Sequence, residues 1–322
     1  MIDILLATYN GEKYLHEQLS SILAQTYTDW RIIARDDGSS DSTPEILEHF
    51  AEEHAGRLMI LHDEDENLGC IQNFSRLLSY SDADYSMFCD QDDFWLPDKI
   101  EITLKKMKEL EKHGEPVLVH TDLRVVDSEK NTLAESFVRL HKLNALPESR
   151  AGLMFKNSVT GCTVMINRRL RELAGELPES CTMHDHYLAE IALALGRLGF
   201  VDRAIILYRQ HSGNVCGSHK KSVVQKIKRI LSISGWRSAL QRTHAEAEKN
   251  LAQARCVYAR FRHSMDAKTR EMYELTLNME QYPKYKRLCM LKKSGMLPLS
   301  AYEKKALEIY CLSMKHEQNR QG

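Results

Sequence analysis

The first ninety residues alternate two patterns: short runs that are apolar almost throughout, and longer stretches in which apolar positions recur every three or four residues. Ile2 to Ala7 predicts a buried strand, and Tyr14, Leu15, Leu19, Ile22 and Leu23 trace the stripe of a helix behind it. Trp30 to Ala34 predicts a second strand. Ser42-Thr43-Pro44-Glu45 then offers a cap, an early proline and an early acid, the residues that favour a helix N-terminus. Leu58 to Leu61, a helix around Ile71 to Leu78 and a strand from Tyr85 to Cys89 continue the alternation. A βαβαβαβ order predicts an α/β fold whose mostly parallel sheet is covered by helices on both faces.

Beyond Asp93 the spacing predicts a long helix from Pro97 to about Lys112, a strand from Pro116 to Thr121, a polar stretch and another strand from Val159 to Ile166. Leu188, Ile191, Ala192 and Leu195 share one helical face, so 186–198 reads as a helix, and Val201 to Tyr208 follows as a strand. From about Ser218 the pattern is helical throughout. The expected organisation is therefore a catalytic unit over 1–217 and a helical C-terminal region over 218–322.

Charge changes the picture more than composition does. The net charge is −1, yet residues 1–100 carry 21 Asp and Glu against 6 Lys and Arg, and the remainder carries 24 against 38. Between His219 and Ala245 stand seven Lys and Arg and no acid, with Val223, Val224, Ile227, Ile230, Leu231 and Trp236 at spacings that share a helical face. Such a segment suits an anionic bilayer surface, or docks its apolar face as an ordinary helix. No aromatic-interleaved basic motif accompanies it, so no nucleic-acid partner is expected. The apolar runs fall far short of the roughly 20 residues of a spanning helix, and no signal peptide is expected at the N-terminus. Eight cysteines without a C-x-x-C pair point to reduced thiols rather than a zinc site or a disulfide framework.

In an open parallel sheet, ligands bind beyond the carboxyl ends of the strands. Those ends carry Thr8-Tyr9-Asn10-Gly11, Asp36-Asp37-Gly38-Ser39 and Asp90-Gln91-Asp92-Asp93. Asp-Asp-Gly-Ser alone is ordinary turn chemistry. Three carboxylates within four residues repel one another unless a cation or strong donors neutralise them, so the third loop suits Mg²⁺ or Mn²⁺ held together with substrate phosphates. No G-x-G and no P-loop motif occurs, which removes the dinucleotide and P-loop readings. A diphosphate gripped through a cation fits a nucleotide-sugar donor.

These motifs, with Asn67-Leu68-Gly69, resemble glycosyltransferase family 2, inverting enzymes of Rossmann-like GT-A fold. Asp90-Gln91-Asp92-Asp93-Phe94-Trp95-Leu96-Pro97, His120-Thr121-Asp122, Met183-His184-Asp185 and Tyr208-Arg209-Gln210-His211 look more narrowly like its rhamnosyltransferases of bacterial cell-wall polysaccharide synthesis. The resemblance implies a donor site built from Thr8, Tyr9, Asn10, Asp36 or Asp37, and Asn67, with Asp90 near the ribose and Arg209 on phosphate. It implies Asp92 as a metal ligand, with His211 completing the shell. Asp185 is implied as the general base, against its alternative as a helix cap. Trp95, His184 and His186 are expected on the acceptor side; His186 and Tyr187 stand where relatives often carry paired tryptophans. The implied reaction moves L-rhamnose from dTDP-β-L-rhamnose to a hydroxyl of a polyprenyl-linked glycan, in the cytoplasm at the inner face of the membrane. A UDP-hexose donor, or a non-catalytic nucleotide-sugar sensor, are the alternatives. The later helices are expected to pack together, an arrangement that also accommodates an oligomer.

Overall fold

The computed structural model describes residues 1–63, 67–146, 150–211, 233–293 and 301–314. Strand β1 (Ile2–Thr8) is almost wholly buried, because helices cover both its faces. Its one charge, Asp3, is met inside by Arg31 Nε at 2.7 Å, the Ser81 hydroxyl and the N–H groups of Asp82 and Ala83. Helix α1 (Leu15–Leu23) buries Leu15, Leu19 and Ile22 of the stripe visible in the sequence and leaves Leu23 exposed. Next come β2 (Trp30–Asp36), α2 (Thr43–Glu53), β3 (Leu58–Ile60), α3 (Gly69–Tyr80) and β4 (Tyr85–Asp90). Strands β3-β2-β1-β4 run parallel in that spatial order.

The other half of the sheet departs from the mostly parallel expectation. Among the described residues it holds β5 (Phe94–Trp95), β6 (Val117–Val126), β7 (Thr132–Ala134), β8 (Met165–Asn167) and β9 (Arg197–Arg209). The edge order continues β4-β8-β6-β9-β5, with β7 on β6; β8 runs antiparallel to both neighbours, and only β6 and β9 pair in parallel. The predicted strand at 159–166 forms only at its end, as β8; ahead of it Gly161–Thr163 is a 3₁₀ turn, closed by Thr163 N–H and hydroxyl bonds to the Thr160 carbonyl. Helix α4 (Lys99–Leu110) starts two residues later than Pro97. Between β7 and β8 lie α5 (Phe137–His141), α6 (Arg150–Leu153) and then the 3₁₀ turn. Helix α7 (Arg168–Ala174) is capped by Asn167, whose Oδ1 accepts from Leu170 N–H. Helix α8 (His184–Leu195) starts two residues before 186.

Chain contacts divide the protein at His211, and they also assign 142–158 to the second unit, which the contiguous 1–217 expectation did not contain. That unit comprises α6, α9 (Ile233–Phe261), α10 (Ala267–Leu277), α11 (Lys284–Lys293) and α12 (Ala301–Ser313). Ala247, Leu251, Ala254, Val257 and Phe261 line one buried face of α9 at steps of three and four. Buried Arg287 donates to the carbonyls of Glu280, Tyr282, Cys311 and Met314, gathering the ends of separate helices. Most of the basic stretch, including Lys220, Lys221, Lys226, Lys228 and Arg229, lies outside the described residues. No helix among the described residues is long and apolar enough to cross a membrane.

Candidate active site

The carboxyl ends of β1, β2 and β4 converge as the rule for open sheets requires, and side chains knit their loops together. Thr8 Oγ1 donates to Asp36 Oδ1 at 2.8 Å, and Ser39 gives Asp36 both its N–H and its hydroxyl, at 2.7 and 2.6 Å. Asn10 takes a left-handed φ of 49° and accepts from the Ser40 N–H at 2.8 Å. Gln91 pairs with the Tyr9 backbone on both sides, accepting from its N–H at 2.7 Å and donating to its carbonyl at 2.8 Å. A Cβ on Gly11 would stand 2.2 Å from Gln91 Oε1, so any side chain there would push the Gln91 amide off the Tyr9 backbone. The Tyr9 ring stays exposed, and Asp36 edges a cleft of about 270 Å³ lined also by Pro44, Leu47, Ile60 and Leu61.

Two expected donor contacts are corrected here. Thr8 is 1% exposed and its hydroxyl is spent on Asp36, so the side chain orients that carboxylate instead of meeting a ligand. Asp37 is also buried, accepting from Arg35 and from the N–H groups of Leu68 and Gly69 at 2.7 to 2.8 Å. It braces the N-terminus of α3, where a negative charge is favoured. Asn67 is exposed beside it with a φ of 41°.

The acidic loop after β4 divides by burial. Asp93 is fully buried, its Oδ1 accepting from the Arg209 N–H at 3.3 Å and its Oδ2 without a hydrogen-bond partner. Burial, then Asp92 and Asp90, push its pKa well up. Asp90 is pushed up to about 7, by burial first and then by Asp92 and Asp185. Asp92 faces the rim, with Oδ2 2.7 Å from His211 Nε2. Among the described residues, Asp90, Asp93 and Cys162 also bring ligand-type atoms within 4.8 Å of one another. Cys162 and Asp93 face the interior beside the buried Lys99 ammonium, which already supplies positive charge there. Asp92 and His211, 15% and 20% exposed, are by contrast a hard and a borderline donor at an open rim, in a loop with surplus negative charge.

Arg209 does not hold its guanidinium toward a phosphate. It is 2% exposed, and Nε donates to the Asp92 carbonyl at 3.0 Å, one terminal nitrogen to the Ser128 carbonyl at 2.6 Å and the other to Glu17.

Asp185 lies in the first turn of α8, 4% exposed, with Oδ1 accepting from the His186 N–H at 2.6 Å. Its charge also helps to raise the Asp90 pKa, so the two carboxylates lie near one another. The acceptor expectations for its neighbours are corrected by packing. Trp95 is 0% exposed within the main core, its ring covered by Lys99 Nζ at 4.0 Å. His184 packs against Phe74 and Phe88 at 4.3 and 4.9 Å, and His186 is buried with Nδ1 3.2 Å from the Thr182 hydroxyl. None of the three presents a surface to a glycan.

Residues 3–171 match the family model described as Glycosyl transferase family 2. The chain belongs to that family. It is 30% identical over 225 residues to dTDP-rhamnosyl transferase RfbG of Shigella flexneri, covering 66% of this chain and 74% of that protein. It spans less of other curated relatives, 44% and 64% of their length in two cases. Among solved structures it is similar to Staphylococcus aureus TarS 1-349 in complex with UDP-GlcNAc, with a TM-score of 0.54, 15% identity and coverage of 96% and 90%. The mannosyltransferase PcManGT of Pyrobaculum calidifontis, in complex with GDP-Man and Mn²⁺, gives a TM-score of 0.50 at 15% identity, covering 96% and 86%. The fold is GT-A, with the helical C-terminal region expected from the sequence.

Sequence reasoning passed over four residues of this family 2 site. Gln91 stands in the acidic motif without a role of its own, yet it ties the acidic loop to β1. Tyr14 reads only as a helix position and Glu17 is not singled out, although both touch Arg209. Gly161 carries a signal only in the folded chain, where its missing Cβ makes room for His184 Nε2 and faces Asp185 Oδ2.

Proposed function

We propose that the chain is an inverting glycosyltransferase in which Asp185 is the general base and the rim of Tyr9, Asp36, Asp90 and Asp92 receives a nucleotide-sugar donor. What supports this reading is that Asp185, in the first turn of α8, lies near enough to Asp90 to raise its pKa, so a carboxylate stands close to the acidic loop. The His186 N–H fixes the orientation of Asp185. In the reaction a carboxylate oxygen of Asp185 takes the proton of the acceptor hydroxyl while the hydroxyl oxygen bonds to the anomeric carbon, and the bond from that carbon to the diphosphate breaks. Asp92 and His211 would hold Mg²⁺ or Mn²⁺, which when bound offsets charge on the departing diphosphate. The exposed Tyr9 ring offers a face for a nucleobase, and Asp36 an acceptor for base or ribose.

Similarity to the Shigella dTDP-rhamnosyl transferase supports a dTDP-rhamnose donor, taken here as dTDP-β-L-rhamnose with a lipid-linked glycan hydroxyl as acceptor. A UDP-hexose is the second reading, favoured by 26% identity over 171 residues to a UDP-Glc-dependent glucosyltransferase of Escherichia coli. The basic stretch around Lys226 to Arg229 is proposed to meet the anionic inner face of the membrane.

Transfer from a panel of labelled sugar nucleotides to synthetic polyprenyl-linked acceptors separates the donors. Asp185→Asn is expected to retain donor binding and lose transfer by about 10²–10⁴-fold, the usual contribution of a general base. Wild-type transfer by that variant would overturn the assignment.

A further inference from the structure

We infer that Arg209, with its guanidinium laid on the Tyr14 ring, is a positioning residue that preforms the Asp92 and His211 pair; the inference rests on the reading of that pair as cation ligands. The two side chains come from segments 119 residues apart, yet their ligand atoms stand 2.7 Å from one another. Ordering them costs conformational entropy. Something must hold both loops before a cation arrives.

Arg209 does so from the last position of β9, two residues before His211. Its Nε bonds the carbonyl of Asp92, and its own N–H bonds the side chain of Asp93. Its terminal nitrogens reach outward to Ser128 and to Glu17 on α1, so the acidic loop, the β6–β7 turn and α1 are tied to one planar group. Lys130 bonds the other oxygen of Glu17 at 3.0 Å and steadies that anchor. Tyr14 completes the arrangement. Its ring centroid lies 4.4 Å from the guanidinium carbon and 4.8 Å from the His211 ring, so the same aromatic surface supports the arginine and the imidazole. A buried guanidinium in three divergent hydrogen bonds behaves as a rigid bracket, which the point charge of lysine does not reproduce.

Mn²⁺ alone, titrated into the full-length chain with free Mn²⁺ read by electron paramagnetic resonance, tests this. Arg209→Met is expected to weaken Mn²⁺ binding by about 10–100-fold, the usual effect of losing a group that orients metal ligands. Arg209→Lys should fail to rescue it. Tyr14→Phe should bind as wild type, whereas Tyr14→Leu, which loses the shared ring, should bind more weakly. A merely structural role would lower Tm and leave the Mn²⁺ Kd unchanged, and that result overturns the proposal. Asp92→Asn and His211→Ala separate the two levels of inference. Should both retain wild-type Mn²⁺ affinity, the cation reading fails and takes the bracket with it. Should they lose binding while Arg209→Met and Tyr14→Leu keep it, only the bracket is overturned. If Arg209→Met does not fold, Tyr14→Leu decides.

Discussion

His184 illustrates how a residue beside the chemistry can serve the fold alone. Its ring lies against Phe74 and Phe88, neither nitrogen has a hydrogen-bond partner, and burial pushes its pKa down from 6.5 to about 3. The unfolded chain therefore binds a proton near pH 6.5 that the folded chain refuses until about pH 3. The stability associated with neutral His184 is fully present above 6.5 and is lost as pH falls toward 3, by up to about 1.4 kcal/mol per pH unit. His184→Leu should flatten that limb: between pH 6 and 4, urea-unfolding free energy should fall less steeply than in the wild type. Parallel slopes would show that the imidazole does not titrate differently on folding. The sequence draws attention to His184 for its place in Met183-His184-Asp185, and the fold packs its ring among Phe74 and Phe88. Adjacency to Asp185 along the chain says nothing about which way α8 turns each side chain. Trp95 errs in the same way, since a large aromatic beside an acidic motif suits a sugar or a core equally until its neighbours are known.

Asp37 shows how one side chain sets an element. Helix α3 begins at Gly69 without a side-chain cap of its own, and its first N–H groups are met instead by a carboxylate from the end of β2. Arg35, buried beneath, pairs with Asp37 and Asp63. Asp37→Ala should destabilise the protein by about 3–5 kcal/mol, the cost of breaking a buried charge pair, and should speed amide hydrogen exchange at Leu68 and Gly69. Exchange unchanged at those two amides would contradict the bracing role. The elements themselves were largely legible: β1 to β4 and α1 to α3 fall where periodicity and capping predict, because those signals are local. The antiparallel strands were not, since β8 is three residues long and its pairing depends on where β4 and β6 lie.

At the scale of the whole molecule, acid is concentrated in residues 1–100 and base in the remainder, and the basic stretch proposed to meet the membrane gives this asymmetry a use. Lys226, Lys228 and Arg229 each add about 1 kcal/mol of attraction at an anionic surface. Their replacement with Gln should lower flotation with phosphatidylserine liposomes by about a hundredfold and leave donor hydrolysis intact. Equal flotation would remove the membrane from the picture. By itself the sequence determined the α/β alternation, the acidic rim and membership of a glycosyltransferase family, because strand and helix periods and short loop motifs are written in neighbouring residues. Only the tertiary structure decided which of those polar residues face the rim. It joined Asp92 to His211, turned Arg209 inward as a bracket, buried Asp37, His184 and Trp95, and set 142–158 among the C-terminal helices. Burial and long-range contact arise from the packing of elements far apart in the chain, and no local pattern encodes that packing.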